Sequence, residues 1–164
     1  MKRASPAGPA PGPADLQFAY ELRETSRLLL RVLKKRLEPH EVTLPQYFLL
    51  RQLWDHDGIN QSELSERLGT TQPATVVTVD ALEKRGLIRR ARRLDDRRAV
   101  RLIITKKGEK MREILLGYAR EITAEALDGV KPADVKKLRG LLGVVRGKLE
   151  IAMNARMDGM DRSA

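Results

Sequence analysis

Residues 60–86 carry two helix signatures separated by a very short joint, and this constrains the fold more than any other part of the chain. In "INQSELSERLG", Asn60 and Glu63 stand in capping-box spacing, an arrangement that satisfies free N–H groups at a helix start. Leu64 and Leu68 lie one turn apart and face inward, and Gly69 is the expected stop. In "TTQPATVVTVDALEKRG", Thr71 caps the next helix, Pro73 fits its first turn, and Gly86 ends it. Two short helices meeting at Gly69-Thr70 are the arithmetic of a helix-turn-helix.

After Gly86 the period changes from helical to alternating. Leu87 and Ile88 begin one strand; Val100, Leu102 and Ile104 share a face of another, with Arg101 opposite. "RRLDDRR" between them reads as a hairpin tip. A helix-turn-helix followed by a hairpin is a winged helix-turn-helix, in which the second short helix enters the major groove of DNA and the hairpin reaches an adjacent minor groove. The charge agrees. Residues 84–110 hold twelve Lys or Arg and three acids, which localises nine of the chain's ten net positive charges in one segment. Localised positive charge points to a polyanion.

The flanks are helical. Residues 1–14 hold four of the eight prolines and read as a disordered tail. Leu22, Leu29, Leu30, Leu33 and Leu37 give a first helix one apolar face. Thr43 caps a helix running to about Asp55. Thr105 caps a long helix to about Leu127. "KPAD" opens a last helix in which Val135, Leu138, Leu142, Val145 and Leu149 follow 3-4-3-4 spacing. Such a seam needs a partner, so a homodimer is expected, with Leu22, Leu138, Leu142, Val145 and Leu149 in its interface. The expected division is a tail (1–14), a first dimerisation helix (15–42), a DNA-binding domain (43–108), C-terminal dimerisation helices (109–155) and a frayed tail (156–164). The fold class is mainly α with a small β-hairpin wing.

Composition removes other classes. The chain has no cysteine, which excludes disulfides, thiolate metal sites and cysteine nucleophiles. No 18-residue apolar run exists, and the start lacks the apolar core of a secretory signal, so a cytoplasmic location is expected. His56 between Asp55 and Asp57 invites a metal, but adjacent side chains at a helix end diverge and no second cluster supports them; neither metal nor cofactor is expected. There is no Gly-rich phosphate loop, Ser-His pair or paired-carboxylate site, so no catalytic residue is assigned.

Within the DNA-binding reading, Thr71, Gln72, Pro73, Val76 and Val77 are the candidates on the second short helix. Counting back from Leu82 puts Val79, Thr78, Thr75 and Ala74 on the inner face, with Gln72, Pro73, Val76 and Val77 outward. Gln72 suits adenine, and Val77 can touch a thymine methyl. On the hairpin, Arg89, Arg90, Arg92, Arg93 and Arg101 are candidates for phosphate contact, which gives affinity without sequence information, and Arg97 is a further DNA-binding candidate at the tip. Asp95 and Asp96 interrupt them. Asp96 can pair with Arg98 and aim it into a narrow minor groove, where the negative potential is enhanced.

"LEKRGLIRRARRLDDRRAVRLIITKKG" resembles the wing of MarR-type transcriptional regulators, with Asp96-Arg97-Arg98 at the tip and Ile104-Thr105-Lys106-Lys107-Gly108 after it. "LPQYFLLRQLW" and "INQSELSERLGTTQPATVVTVD" extend the resemblance, and helix order agrees from about residue 15 to 150. The resemblance implies a homodimer on a palindromic operator, acting more commonly as a repressor, released by a small ligand such as an aromatic acid or aryl-CoA. It also implies an arginine where this chain has Val77. Tyr47, Arg51 and Trp54 share a helix face and suit an apolar pocket with a cation, which His40 could join. The alternative is an architectural DNA-binding protein without a ligand.

The tip yields a direct expectation. Asp96→Asn adds net positive charge, so a purely electrostatic wing would bind all duplexes more tightly. An aiming carboxylate gives the opposite: affinity for a preferred duplex falls while affinity for a random duplex holds or rises, read by titration across a salt series.

Overall fold

The computed structural model describes residues 13–92 and 100–160, with side chains described for 17–91 and 100–153. Among the described residues, six helices and one hairpin follow in order: α1 (Pro13–Leu37), α2 (Leu44–Asp55), α3 (Gln61–Leu68), α4 (Gln72–Lys84), β1 (Ile88–Arg92), β2 (Val100–Ile104), α5 (Lys106–Ala126) and α6 (Pro132–Met160). A 3-10 turn, Glu38–His40, joins α1 to the α2 approach. The chain divides into two compact units between Ile122 and Thr123.

Helix starts follow the capping logic of the sequence. Thr43 accepts from the Gln46 N–H while the Gln46 side chain accepts from the Thr43 N–H, a complete capping box. At α3 only half the box forms. Asn60 Oδ1 accepts from the Glu63 N–H at 2.8 Å, but the Glu63 carboxylate turns to Arg67, one turn on, at 2.9 Å. An arginine at i+4 offers a charged donor, and it outcompetes the neutral N–H of the cap. Gly69 then takes the left-handed conformation, φ +61°, that lets the chain turn sharply into α4.

The core of the first unit gathers Leu33 and Leu37 of α1, Leu49, Leu50 and Leu53 of α2, Leu64 of α3, Val79 and Leu82 of α4, Leu102 of β2 and Leu115 of α5. β1 and β2 pair antiparallel, with Ile88 opposite Ile104 and Arg90 opposite Leu102. The sequence pattern expects a bare hairpin; the structure gives β2 a partner on each side. The Gly58 N–H donates to the Leu102 carbonyl and the Leu102 N–H donates to the Ile59 carbonyl, both at 3.0 Å, and Asn60 bridges to Arg101. Asp57 Oδ1 accepts from the Ile104 N–H at 2.9 Å. The α2–α3 connection is thus a third rung that the alternating pattern could not announce, being only a few residues long.

Thr105 and Gly108 fix the start of α5. The Thr105 hydroxyl donates to the Gly86 carbonyl at 2.7 Å and accepts from the Gly108 N–H at 3.1 Å. A Cβ on Gly108 would lie 2.2 Å from the Leu87 carbonyl oxygen. The Thr-x-x-Gly sequence is therefore a packing requirement: a cap, then a residue without a side chain where the helix meets the backbone before β1.

In the second unit α6 runs to Met160, so the last residues of the helix fall in the segment read as a frayed tail; α1 likewise begins at Pro13, inside the segment read as the N-terminal tail. Leu138, Leu142 and Leu149 are exposed, and Val135 and Val145 half-buried.

Gly108→Ala should cost about 1–3 kcal/mol, as is usual for overpacking against atoms that cannot yield. Gly117→Ala, in mid-α5 with nothing within 4 Å, should instead be neutral or gain up to about 1 kcal/mol. Urea unfolding of both variants checks the contrast.

Candidate nucleic-acid interface

α4 buries Thr75, Val79 and Leu82, spaced i, i+4, i+7, against the core. The exposed stripe lies opposite and holds Pro73, Val77 and Asp80; Val77 is 69% exposed. Two expectations shift. Ala74 is exposed and Thr78 half-buried rather than inward, and Val76 is half-buried rather than outward. The buried stripe is narrower than the sequence count assumed, because Ala74 and Thr78 line a cavity beside α2.

The helix start is tied down by its own polar residues. Thr71 Oγ1 accepts from the Ala74 N–H. Gln72, the candidate adenine reader, donates from its amide to Ser62 Oγ on α3 at 3.1 Å. The bond is exposed, so Gln72 is held in place at the surface. Thr70 and Thr75 hydroxyls meet at 2.9 Å across the turn. These contacts lock α3 and α4 at one angle.

The hairpin arginines divide by strand parity. Arg89 is exposed, on the outer face with Ala91. Arg90 shares the inner face with Ile88 and lies opposite Leu102. Its guanidinium reaches Asp80 at 2.5 Å and also bonds Glu83, both on α4. The Arg90 N–H donates to the same Glu83 carboxylate at 2.8 Å. The bond to Asp80 above all, then Glu83, raises the Arg90 pKa further, so the clamp stays charged. Arg101 is also engaged: its guanidinium donates to the Gly58 carbonyl at 2.7 Å, tying β2 to the α2–α3 connection. Arg93, Asp95, Asp96, Arg97 and Arg98 lie outside the described residues, as does the side chain of Arg92.

Sequence reasoning placed Arg90 and Arg101 with the phosphate-contact candidates and missed both internal bonds. The signal for Arg90 was present: it has the parity of buried Ile88, and Asp80 and Glu83 stand three apart on the neighbouring helix. The Arg101 bond had no such signal, since its acceptor is a backbone carbonyl 43 residues away.

The effector candidates separate. Tyr47 and Trp54 are core residues, 5% and 7% exposed. Burial raises the Tyr47 pKa, with the Arg51 charge opposing. The Trp54 indole N–H is buried without an acceptor among the described residues. Arg51 sits at the surface, paired with Asp55 at 2.9 Å. It borders a largely apolar cavity of about 710 Å³ whose lining includes Leu30, Leu44, Phe48, Ala74 and Thr78. Neither Tyr47 nor Trp54 lines it; Phe48 does, because it lies one residue around the helix from Tyr47. His40 is elsewhere, its Nε2 2.9 Å from the Tyr118 hydroxyl on α5. The cavity touches α1, α2 and the flank of α4, the same flank that the sequence count had assigned to the core.

No cluster of three or more metal-ligating side chains exists among the described residues, and no described helix is long and apolar enough to cross a membrane.

Residues 42–100 match the model of the MarR family. The chain is 30% identical over 102 residues to the HTH-type transcriptional regulator TtmR of Methylorubrum extorquens (strain PA1), an alignment covering 62% of this chain and 52% of that protein. The chain thus spans about half the length of this curated relative. A MarR transcriptional regulator from Methanosarcina mazei Go1 superposes with a TM-score of 0.76 at 24% identity, covering 83% of this chain and 99% of that one. CouR from Rhodococcus jostii RHA1, solved bound to p-coumaroyl-CoA, gives a TM-score of 0.70 at 23% identity, with 78% and 90% covered. At these identities the two structures speak for the fold.

Proposed function

We propose that the chain, whose residues 42–100 match the MarR family model, is a sequence-specific, dimeric, DNA-binding transcriptional regulator in the cytoplasm, with repression as its expected mode. One observation carries the reading: α4 presents an exposed stripe on a helix locked to α3, and the hairpin bearing the arginine cluster is bonded to that same helix. A rigid helix for the major groove beside a basic wing for the minor groove is the geometry of winged-helix recognition. Val77 on the stripe suits a thymine methyl. Residues 43–108 would form the DNA-binding domain.

Two-fold pairing supports a palindromic operator. The seam on α6 leaves Leu138, Leu142 and Leu149 exposed, and Leu22 is exposed on α1. Apolar side chains in such a row favour association with a second copy. Residues 15–42 and 109–155 would supply the dimer helices.

The cavity beside Arg51 supports control by a small ligand. It is large and apolar enough for an aromatic body, and Arg51 at its edge suits a carboxylate or the phosphates of an aryl-CoA. Such a ligand would have to draw Arg51 from Asp55. Because Ala74 and Thr78 of α4 line the same cavity, occupancy could shift the helix that reads DNA. A ligand moves that equilibrium only if it binds the released geometry better; a coupling of about 1–3 kcal/mol suffices. That CouR was solved with p-coumaroyl-CoA makes aryl-CoA thioesters and aromatic acids the first compounds to try.

The alternative, a ligand-independent architectural protein, differs in outcome. Selection from a randomised duplex pool under excess competitor should enrich an inverted repeat; an architectural protein would enrich none. Arg51→Ala should weaken release by an anionic ligand while leaving DNA affinity within about twofold. Unchanged release in that variant would remove Arg51 from the site, as measured by anisotropy of a labelled duplex.

A further inference from the structure

Arg90 stands in the densest run of arginines on the chain, yet its charge is engaged inside the protein. We propose that Arg90 is a positioning residue, which Asp80 and Glu83 hold so that the wing keeps one angle to α4. It thereby decides which duplexes the two elements engage together. This rests on the DNA-binding reading above.

Four observations converge. The Arg90 side chain lies on the inner face of β1, opposite buried Leu102, so it leaves the hairpin toward α4. Both guanidinium Nη atoms are used, Nη2 on Asp80 and Nη1 on Glu83, which fixes the plane of the group as well as its position. Glu83 also accepts the Arg90 N–H, on the edge of β1 that β2 does not cover, so the contact holds backbone as well as side chain. Asp80 shares the exposed stripe of α4 with Pro73 and Val77. A free carboxylate there would repel phosphates; one held by Arg90 is neutralised without diverting a phosphate-binding arginine from elsewhere.

The clamp joins the two parts that meet different grooves. The groove-facing helix and the wing must arrive in register, and a wing free to swing would still be attracted to phosphates but would lose the geometric requirement. The expected loss is therefore in discrimination, with the general attraction intact.

The probes are a duplex enriched by the wild-type protein from a randomised pool and an unrelated duplex of equal length, each titrated across a salt series. Arg90→Gln should weaken binding to the enriched duplex by about tenfold, the scale of coupling within a contacting network. It should leave the unrelated duplex within about twofold and both salt slopes unchanged. A phosphate contact behaves otherwise: both affinities fall and both slopes drop by about 0.9. That second result overturns the proposal. Asp80→Asn, at a carboxylate more than half exposed, keeps the test open if Arg90→Gln unfolds. It should weaken the enriched duplex, and Arg90→Lys, which cannot fork onto both acids, should not restore it. Equal tightening on both duplexes in Asp80→Asn overturns the proposal, because the acid is then only a repulsive charge. If the wild-type protein enriches no duplex, the sequence-specific reading itself fails and the proposal with it.

Discussion

The docking of β2 between two partners is the constraint on which the rest of the first unit depends. Leu102 is fully buried, and both its N–H and its carbonyl are satisfied by the Gly58–Ile59 connection while β1 pairs on the other side. A hairpin alone is marginal in water; one whose central strand is bonded on both edges and packed on helices is not. That arrangement turns the wing from a loose basic loop into an extension of the helix-turn-helix. The Arg101 bond to Gly58 and the Arg90 clamp on α4 then brace its two edges. Thr105 and Gly108 close the base, where α5 begins against the Leu87 backbone.

From this bracing follows the division of labour among the arginines. A run of like charges looks uniform in sequence, but a strand alternates its faces every residue. Arg89 faces outward and Arg90 inward, so neighbours in the chain serve opposite purposes. Charge count alone overstates the part of the wing available to a polyanion. Among the described hairpin arginines, Arg89 is exposed while Arg90 and Arg101 are bonded within the protein.

Much of the fold was legible because helix ends announce themselves. Thr43, Asn60, Thr71 and Thr105 stand one residue before α2, α3, α4 and α5, and Gly69 and Gly86 follow α3 and α4 closely, each at positive φ. These signals are local, and local signals survive in sequence. What did not survive was the long-range bonding: the third rung at residues 58–60, the Arg101 contact and the His40–Tyr118 pair each join residues more than forty apart. The cavity was half legible. Arg51 borders it, but the helix face shared by Tyr47 and Trp54 is the core face, since aromatic bulk at that spacing on α2 is most stably buried among Leu49, Leu50 and Leu53. Phe48, on the neighbouring face, is the aromatic that lines the cavity.

On the function proposed above, α4 and the wing act as one unit, twice, on adjacent grooves of a duplex. Hydroxyl-radical footprinting on a duplex enriched by the protein addresses it directly. Paired units of this kind predict two protected segments related by a two-fold axis, their centres about 10 bp or a multiple of that apart, each showing protection around a major groove and its neighbouring minor groove. A single unrepeated segment, or protection confined to one groove, would contradict it.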